Sequence, residues 1–214
     1  MPPPETSDPI SGPISGPISS PQIDGRHARR ERNRDAVVEA LLGFYREGVL
    51  QPSTDQIAER AGISARSLFR YFDDVDDLCR VAISHQIERI GSRFFVDIDP
   101  DLDLADRVAS FVEQRLDLYE AMGWVGVVAR GREWFQPLVA DELARARALF
   151  RNQLRSAFAA ELEPLDETDA ARRVAAADVF CSFEAYRLLL DDQGLDRDQI
   201  TAVLTDGLVR HLGP

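Results

Sequence analysis

Two arginines, a serine and a tyrosine stand within six residues of one another, at Arg66, Ser67, Arg70 and Tyr71. All four are hydrogen-bond donors, and no nucleophile–base set accompanies them. Their chemistry is that of grip: a planar guanidinium fork matches phosphate oxygens or the edge of a guanine. Directly after them come Asp73, Asp74, Asp76 and Asp77, which would repel the same partner. The elements that carry the two groups therefore have to point them at different neighbours.

The stretch "STDQIAERAGISARSLFRYF", Ser53 to Phe72, supplies such elements. Ser53 followed three residues on by Gln56 has the spacing of a capping box and predicts a short helix over 54–61. Gly62 breaks it and allows a turn with positive φ. A second helix is expected from the residue after Ser64 to Phe72. Ala58 is small enough for a close crossing, Ile57 and Ala61 face inward, Ile63 plugs the turn, and Leu68 and Phe72 anchor the second helix. A purely structural helical corner fits these apolar positions equally well. It has no need of Arg66, Ser67, Arg70 and Tyr71 on the outer face, whereas a helix-turn-helix that reads DNA does. The four aspartates fall at the start of a longer helix expected over 75–94. Unpaired N–H groups and the helix dipole favour carboxylates there, and Asp74 with Asp77 has capping-box spacing.

The rest of the chain frames this segment. The formal net charge is −12 over 214 residues, but it is unevenly spread. Residues 26–93 hold 12 arginines against 11 acidic residues, whereas 96–214 hold 13 against 23. A low overall pI is thus compatible with a local phosphate-binding patch. All 25 basic residues are arginine, which reads as compositional bias before function. Cys79 and Cys181 form neither a disulfide framework nor a metal spacing, which suits a reducing cytoplasm. No metal site, cofactor, membrane span or signal peptide is expected. Residues 1–25 repeat Pro-Ile-Ser-Gly and read as a disordered tail. "RHARRERNR", Arg26 to Arg34, fits a solvated helix start and a basic arm near phosphates equally well. From about Arg30 onward the periodicity is helical: a first helix to Gly48, then, after a break at 97–101, helices near 105–122, 125–135, 139–161, 169–192 and 197–212. No stretch alternates with period two, so the fold class is all-α.

The first helix, "IAERAGIS", "SLFRYF" and the acidic helix start with "DL" behind it resemble the TetR (tetracycline-repressor) family of bacterial regulators, over about Arg30 to Leu78. The resemblance implies a three-helix helix-turn-helix DNA-binding domain (26–74), a connecting helix (75–97) and a larger helical effector-binding and dimerisation domain (98–214). It implies a homodimer on a double-stranded operator, no enzymatic activity and a cytoplasmic location. Ser53 and Ser64 would then cap helices beside phosphates, and Arg66 and Ser67 would face base edges. Arg70 and Tyr71 would meet the backbone, with arm residues Arg29, Arg30 and Arg32 supporting them. Two positions depart from the family pattern. Phe69 stands where a tyrosine is usual and Val75 where a lysine is usual, so phosphate is offered one hydroxyl and one cation fewer.

In the second part, Val174, Phe183, Tyr186, Leu189 and Leu190 form one wide apolar face and Ile200, Val203, Leu204, Leu208 and Leu212 another. They would either pack inside one subunit or, as the resemblance implies, form a four-helix bundle with their symmetry mates. Arg115 lies in an apolar stripe with Phe111 and Tyr119 beside it. It is either paired internally, with Glu184 or Asp178, or offered to an acidic ligand. Trp124, Trp134, Phe150 and Tyr186 are further candidates for a small-molecule effector pocket, or plain core. The main reading is a ligand-responsive regulator that acts as a repressor. The alternatives are a DNA-binding dimer without an effector and a small helical enzyme.

Overall fold

The computed structural model describes residues 23–213. Among them the secondary structure is entirely helical. In chain order the helices are α1 (Ile23–Arg46), α2 (Thr54–Arg60), α3 (Ala65–Leu68), α4 (Val75–Ile90), α5 (Leu104–Arg132), α6 (Pro137–Ala157), α7 (Ala159–Leu162), α8 (Glu167–Phe180), α9 (Phe183–Arg187) and α10 (Arg197–Leu212). A 3₁₀ turn, Gly91–Phe94, follows α4, and a π turn, Leu188–Asp192, follows α9.

Two apolar clusters hold these elements. The first joins Val37, Leu41 and Phe44 of α1 to Ile57 and Ala58 of α2, Leu68 of α3, and Leu78 and Ala82 of α4. Val128 of α5 completes it, so the N-terminal helices lean on the second half of the chain. The second cluster centres on α5, whose Val108, Phe111, Val112, Leu116 and Tyr119 meet Leu154, Phe158, Val174, Phe183, Ile200, Leu204 and Leu208. Each large apolar side chain so buried contributes about 1.5–3 kcal/mol.

Several expectations change. The tail reading of 1–25 lies outside the described residues as far as residue 22. From Ile23 the chain is already helical, since Pro21 is the last proline before it and nothing beyond forbids a helix. The helix expected over 75–94 ends early, at Ile90, and the separate helices expected over 105–122 and 125–135 are one. α4 ends in the 3₁₀ turn, while α5 continues to Arg132 through a kink at Gly123, whose φ is 48°. The single helix expected over 169–192 is two. Ser182 accepts from the Ala185 N–H at 3.0 Å and starts α9 afresh.

The proposed dimer faces need a larger correction. Val174, Phe183, Ile200, Leu204 and Leu208 are buried within one subunit, because α10 packs on α5 and α8 and uses up their apolar faces. Leu189 and Leu190 are half-buried against the same core. A side chain with no exposed surface has nothing left for a partner. The apolar residues that do face outward are Val179, 69 % exposed, with Phe180, Leu188 and Val203.

Candidate nucleic-acid interface

The local rules that build the α2–α3 unit are visible atom by atom. Ser53 and Gln56 exchange hydrogen bonds, with Gln56 Oε1 accepting from the Ser53 N–H at 2.8 Å and Ser53 Oγ accepting from the Gln56 N–H at 3.2 Å. Gly62 adopts φ 70° with nothing within 4 Å of an added Cβ. Its place is thus set by backbone conformation and not by crowding. The Ile63 N–H closes the turn on the Ala58 carbonyl at 3.0 Å. Ser64 then caps α3, accepting from the Ser67 N–H at 3.2 Å, while the two hydroxyls share a hydrogen bond of 2.9 Å.

α3 itself is one turn, shorter than the helix expected to Phe72. Its last carbonyls are met by tighter i→i+3 bonds, from Arg70 N–H to Ser67 and from Tyr71 N–H to Leu68, as at a fraying helix end. Leu68 and Phe72 are buried beneath, and Arg66 and Arg70 are exposed. Among the described residues neither arginine is drawn into an ion pair. Arg70 lies 5.8 Å from the Tyr71 ring centroid. Tyr71 is half-buried, and its hydroxyl accepts from Asn33 Nδ2 of α1 at 2.9 Å. The phenol proton remains available to a phosphate. Nothing in the sequence singles out Asn33 for this role. Arg29 and Arg30 lie four and three residues before it on α1, so the exposed arginines Arg29, Arg30 and Arg32 emerge from a continuous helix that touches Tyr71 just after α3. If they meet phosphates, the Arg29, Arg30 and Arg32 to alanine triple variant binds DNA more weakly. Its slope of log affinity against log salt is then shallower by nearly one for each phosphate no longer neutralised; an unchanged slope shows that α1 does not meet the backbone.

The aspartates have separate tasks. Asp74 Oδ1 accepts from the Asp77 N–H at 2.7 Å and caps α4, and Asp77 accepts in turn from the Asp73 N–H at 3.3 Å. Asp77 also pairs with Arg80 at 3.3 Å. Asp76 is turned the other way. Its Oδ1 accepts from Gln136 Nε2 at 2.7 Å, and Gln136 Oε1 accepts from Arg132 Nε at 2.9 Å and Nη2 at 2.7 Å. Arg132 Nη1 reaches the Leu50 carbonyl at 2.6 Å, and the guanidinium lies 5.4 Å from the Tyr45 ring centroid. Leu50 sits so close on Gly131 that an added Cβ would lie 2.7 Å from Leu50 Cδ1. This buried clamp ties the α1–α2 loop and the start of α4 to the α5–α6 corner. In the sequence it is foreshadowed only by the Arg132–Gln136 spacing of four.

Above the clamp a cavity of about 370 Å³ opens between α1, α4, α5 and α6. Its walls are overwhelmingly apolar, with Tyr45, Ile83, Ile87, Met122, Val125 and Leu149 among them and Arg132 at one side. Of the expected effector residues only Phe150 lines it. Phe111, Arg115, Tyr119 and Phe150 gather instead around an adjoining space of about 120 Å³. Tyr186 is buried in a cluster with Tyr119, 5.6 Å away between centroids. Trp134 is 86 % exposed and Trp124 half-exposed, and neither lines either of these two spaces. Trp124 follows the Gly123 kink in α5, where Arg187 lies 5.2 Å from its ring centroid, and Trp134 falls at the α5–α6 corner.

Residues 38–81 match the family model described as "Bacterial regulatory proteins, tetR family". Among curated proteins there is no significant sequence match. The fold resembles two solved structures. One is a transcriptional regulator from Rhodococcus sp. Rha1, with TM-score 0.60 and 16% identity over 86% of this chain and 95% of that one. The other is a putative TetR-family transcriptional regulator from Rhodococcus sp., with TM-score 0.63 and 15% identity over 85% and 99%. Among the described residues no helix is long and apolar enough to cross a membrane. The matched segment contains α2, the Gly62 turn and α3 whole, and its family comprises regulators, not enzymes. Residues 38–81 therefore carry the helix-turn-helix DNA-binding domain of the tetR family of bacterial regulatory proteins.

Proposed function

We propose that the protein is a homodimeric, ligand-responsive repressor that binds a palindromic operator in the cytoplasm. Residues 26–74 read DNA, 75–97 connect, and 98–214 bind the effector and pair. The observation that carries the DNA contact is the outward, ion-pair-free placement of Arg66 and Arg70 behind the Gly62 turn. Arg66 and Ser67, at the start of α3, face base edges. Ser53, Ser64, Arg70 and Tyr71 meet phosphates together with Arg29, Arg30 and Arg32.

Pairing is assigned to the outer face of α8 and α10. Val179, Phe180 and Val203 are exposed there, and the Phe180 ring covers Gly207, where an added Cβ would lie 2.6 Å away. Two such subunits place two α3 segments about one helical turn of DNA apart, roughly 34 Å. The 370 Å³ cavity is bounded by α4, which follows the reading segment, and by Arg132 of the clamp. A ligand that fills it in one arrangement of α4 and not another shifts the dimer between DNA-competent and incompetent states.

The test is the variant with Val179→Asp and Val203→Asp. In sedimentation it runs as a monomer, and it binds the operator more weakly while keeping its helical content. A variant that stays dimeric removes α8 and α10 as the interface, and a monomer with undiminished operator affinity removes the need for pairing.

A further inference from the structure

Arg115 is 2 % exposed, yet it faces no anion of its own. Its Nη2 donates to Gln153 Oε1 at 3.1 Å, while Nε and Nη1 are buried without a hydrogen-bond partner among the described residues. The acids expected to pair with it are taken. Asp178 accepts from Arg151 at 3.0 Å, and Glu184 from Arg130 at 2.7 Å and Arg147 at 3.3 Å. Burial opposes ionisation of Glu184, but the charges of Arg130 and Arg147 outweigh it and hold its pKa below the usual range. The two other titratable neighbours stay neutral. Burial pushes the Cys181 thiol up to about 12 and the Tyr119 phenol well above its ordinary value, and that phenol donates to the Cys181 carbonyl. The space that Arg115 lines is therefore bordered by four arginines (115, 130, 147 and 151) and by two carboxylates already engaged.

An unpaired buried cation is costly unless an anion arrives to meet it. Resting on the regulator reading above, we propose that the effector is an amphipathic monocarboxylate whose head group pairs with Arg115. The open donors, on Nε and Nη1, leave the guanidinium on different edges, so a carboxylate oxygen meets it at Nη1 in a charge-assisted hydrogen bond. The Phe150 and Phe111 ring centroids lie 4.5 Å and 5.0 Å from the guanidinium carbon, so the two rings hold the guanidinium in place beside the space. The apolar tail has its own place. Phe150, Arg130 and Arg147 line both this space and the 370 Å³ cavity, so the two adjoin. The head group thus anchors in the core of the second half, and the tail extends toward α4 and the clamp.

Decanoate, decan-1-ol and acetate serve as probes for calorimetric titration of the full chain. Wild type binds decanoate at least about tenfold more tightly than decan-1-ol, because a charge-assisted contact is worth that much or more. Arg115→Gln and Arg115→Met lose that preference, and acetate alone binds weakly. Unliganded Arg115→Met melts no lower than wild type, since it replaces an unpaired buried charge with a thioether of similar reach. Equal binding of the acid and the alcohol by wild type overturns the proposal, as does a decanoate affinity unchanged in Arg115→Gln. A fall of several degrees in the melting of unliganded Arg115→Met makes the guanidinium a structural prop and also overturns it. Operator binding by unliganded wild type, measured alongside, separates the two readings. Specific DNA binding without any decanoate response removes the carboxylate class alone, whereas loss of specific DNA binding removes the regulator reading.

Discussion

Arg66→Ala binds the operator about 10- to 100-fold more weakly than wild type and loses its preference at one base pair of each half-site. The magnitude follows from a bidentate arginine–guanine contact, worth about 1–3 kcal/mol of discrimination. The location follows from the start of α3, where Arg66 is exposed and free of any ion pair among the described residues. Its folding stability is unchanged, because an exposed side chain outside any buried network contributes little. Binding to unrelated DNA falls far less than binding to the operator, since the phosphate contacts of Arg70, Tyr71 and the α1 arginines remain. Fluorescence anisotropy with the operator and with single-base variants of it measures both quantities. If the variant weakens operator and random DNA equally, Arg66 touches phosphate and not a base.

The largest effect on stability is expected at Arg132, which no reading of the helix-turn-helix would single out. Arg132→Ala withdraws donors from Gln136 and from the Leu50 carbonyl and removes a stem packed near Tyr45. Hydrogen bonds to a charged group are worth about 1.5–3 kcal/mol each, and their partners here are left buried. Non-additivity within one network lowers the total to about 3 kcal/mol. In a chain of this size that corresponds to a fall in Tm of roughly 6–12 °C. Gln136→Ala, which leaves Arg132 its bond to Leu50, costs about half as much. Because the clamp joins Asp76 at the start of α4 to the α5–α6 corner, the Arg132 variant also responds less to a ligand in the cavity. Thermal unfolding followed by circular dichroism tests the first claim. A drop under about 2 °C would place the load on the surrounding apolar packing instead.

What the sequence made legible was whatever depends on neighbours within a few residues. The Ser53–Gln56 box, the Gly62 turn and the Asp74 cap follow from local geometry, the Ser64 cap is implied by the family resemblance, and each is found in the structure. Ser182 obeys the same rule, yet its cap was hidden inside apolar periodicity that runs unbroken past it. The start of α1 stayed open between a helix start and a basic arm, because Arg26 to Arg34 is charged and carries no apolar period to mark where a helix begins. Tertiary choices were less legible. Apolar stripes on α8 and α10 are plain in the sequence, but nothing in a stripe says that α5 will cover it. Ile200 and Leu208 therefore went to the core and not to a partner. The cavity, too, is assembled from α1, α4, α5 and α6, far apart in the chain, as Tyr45, Ile83, Val125 and Leu149 illustrate. Arg115 stands out as anomalous from its apolar surroundings alone. That its expected partners would be engaged elsewhere can be read only once Arg130, Arg147 and Arg151 have been placed.

The central claim is that the face behind the Gly62 turn reads sequence. It is tested most directly by titrating wild-type protein, at one moderate salt concentration, against DNA flanking its own gene and against a scrambled duplex of equal length. Specific binding about a thousandfold tighter than to the scrambled duplex is the predicted result. Equal affinities for the two would contradict it.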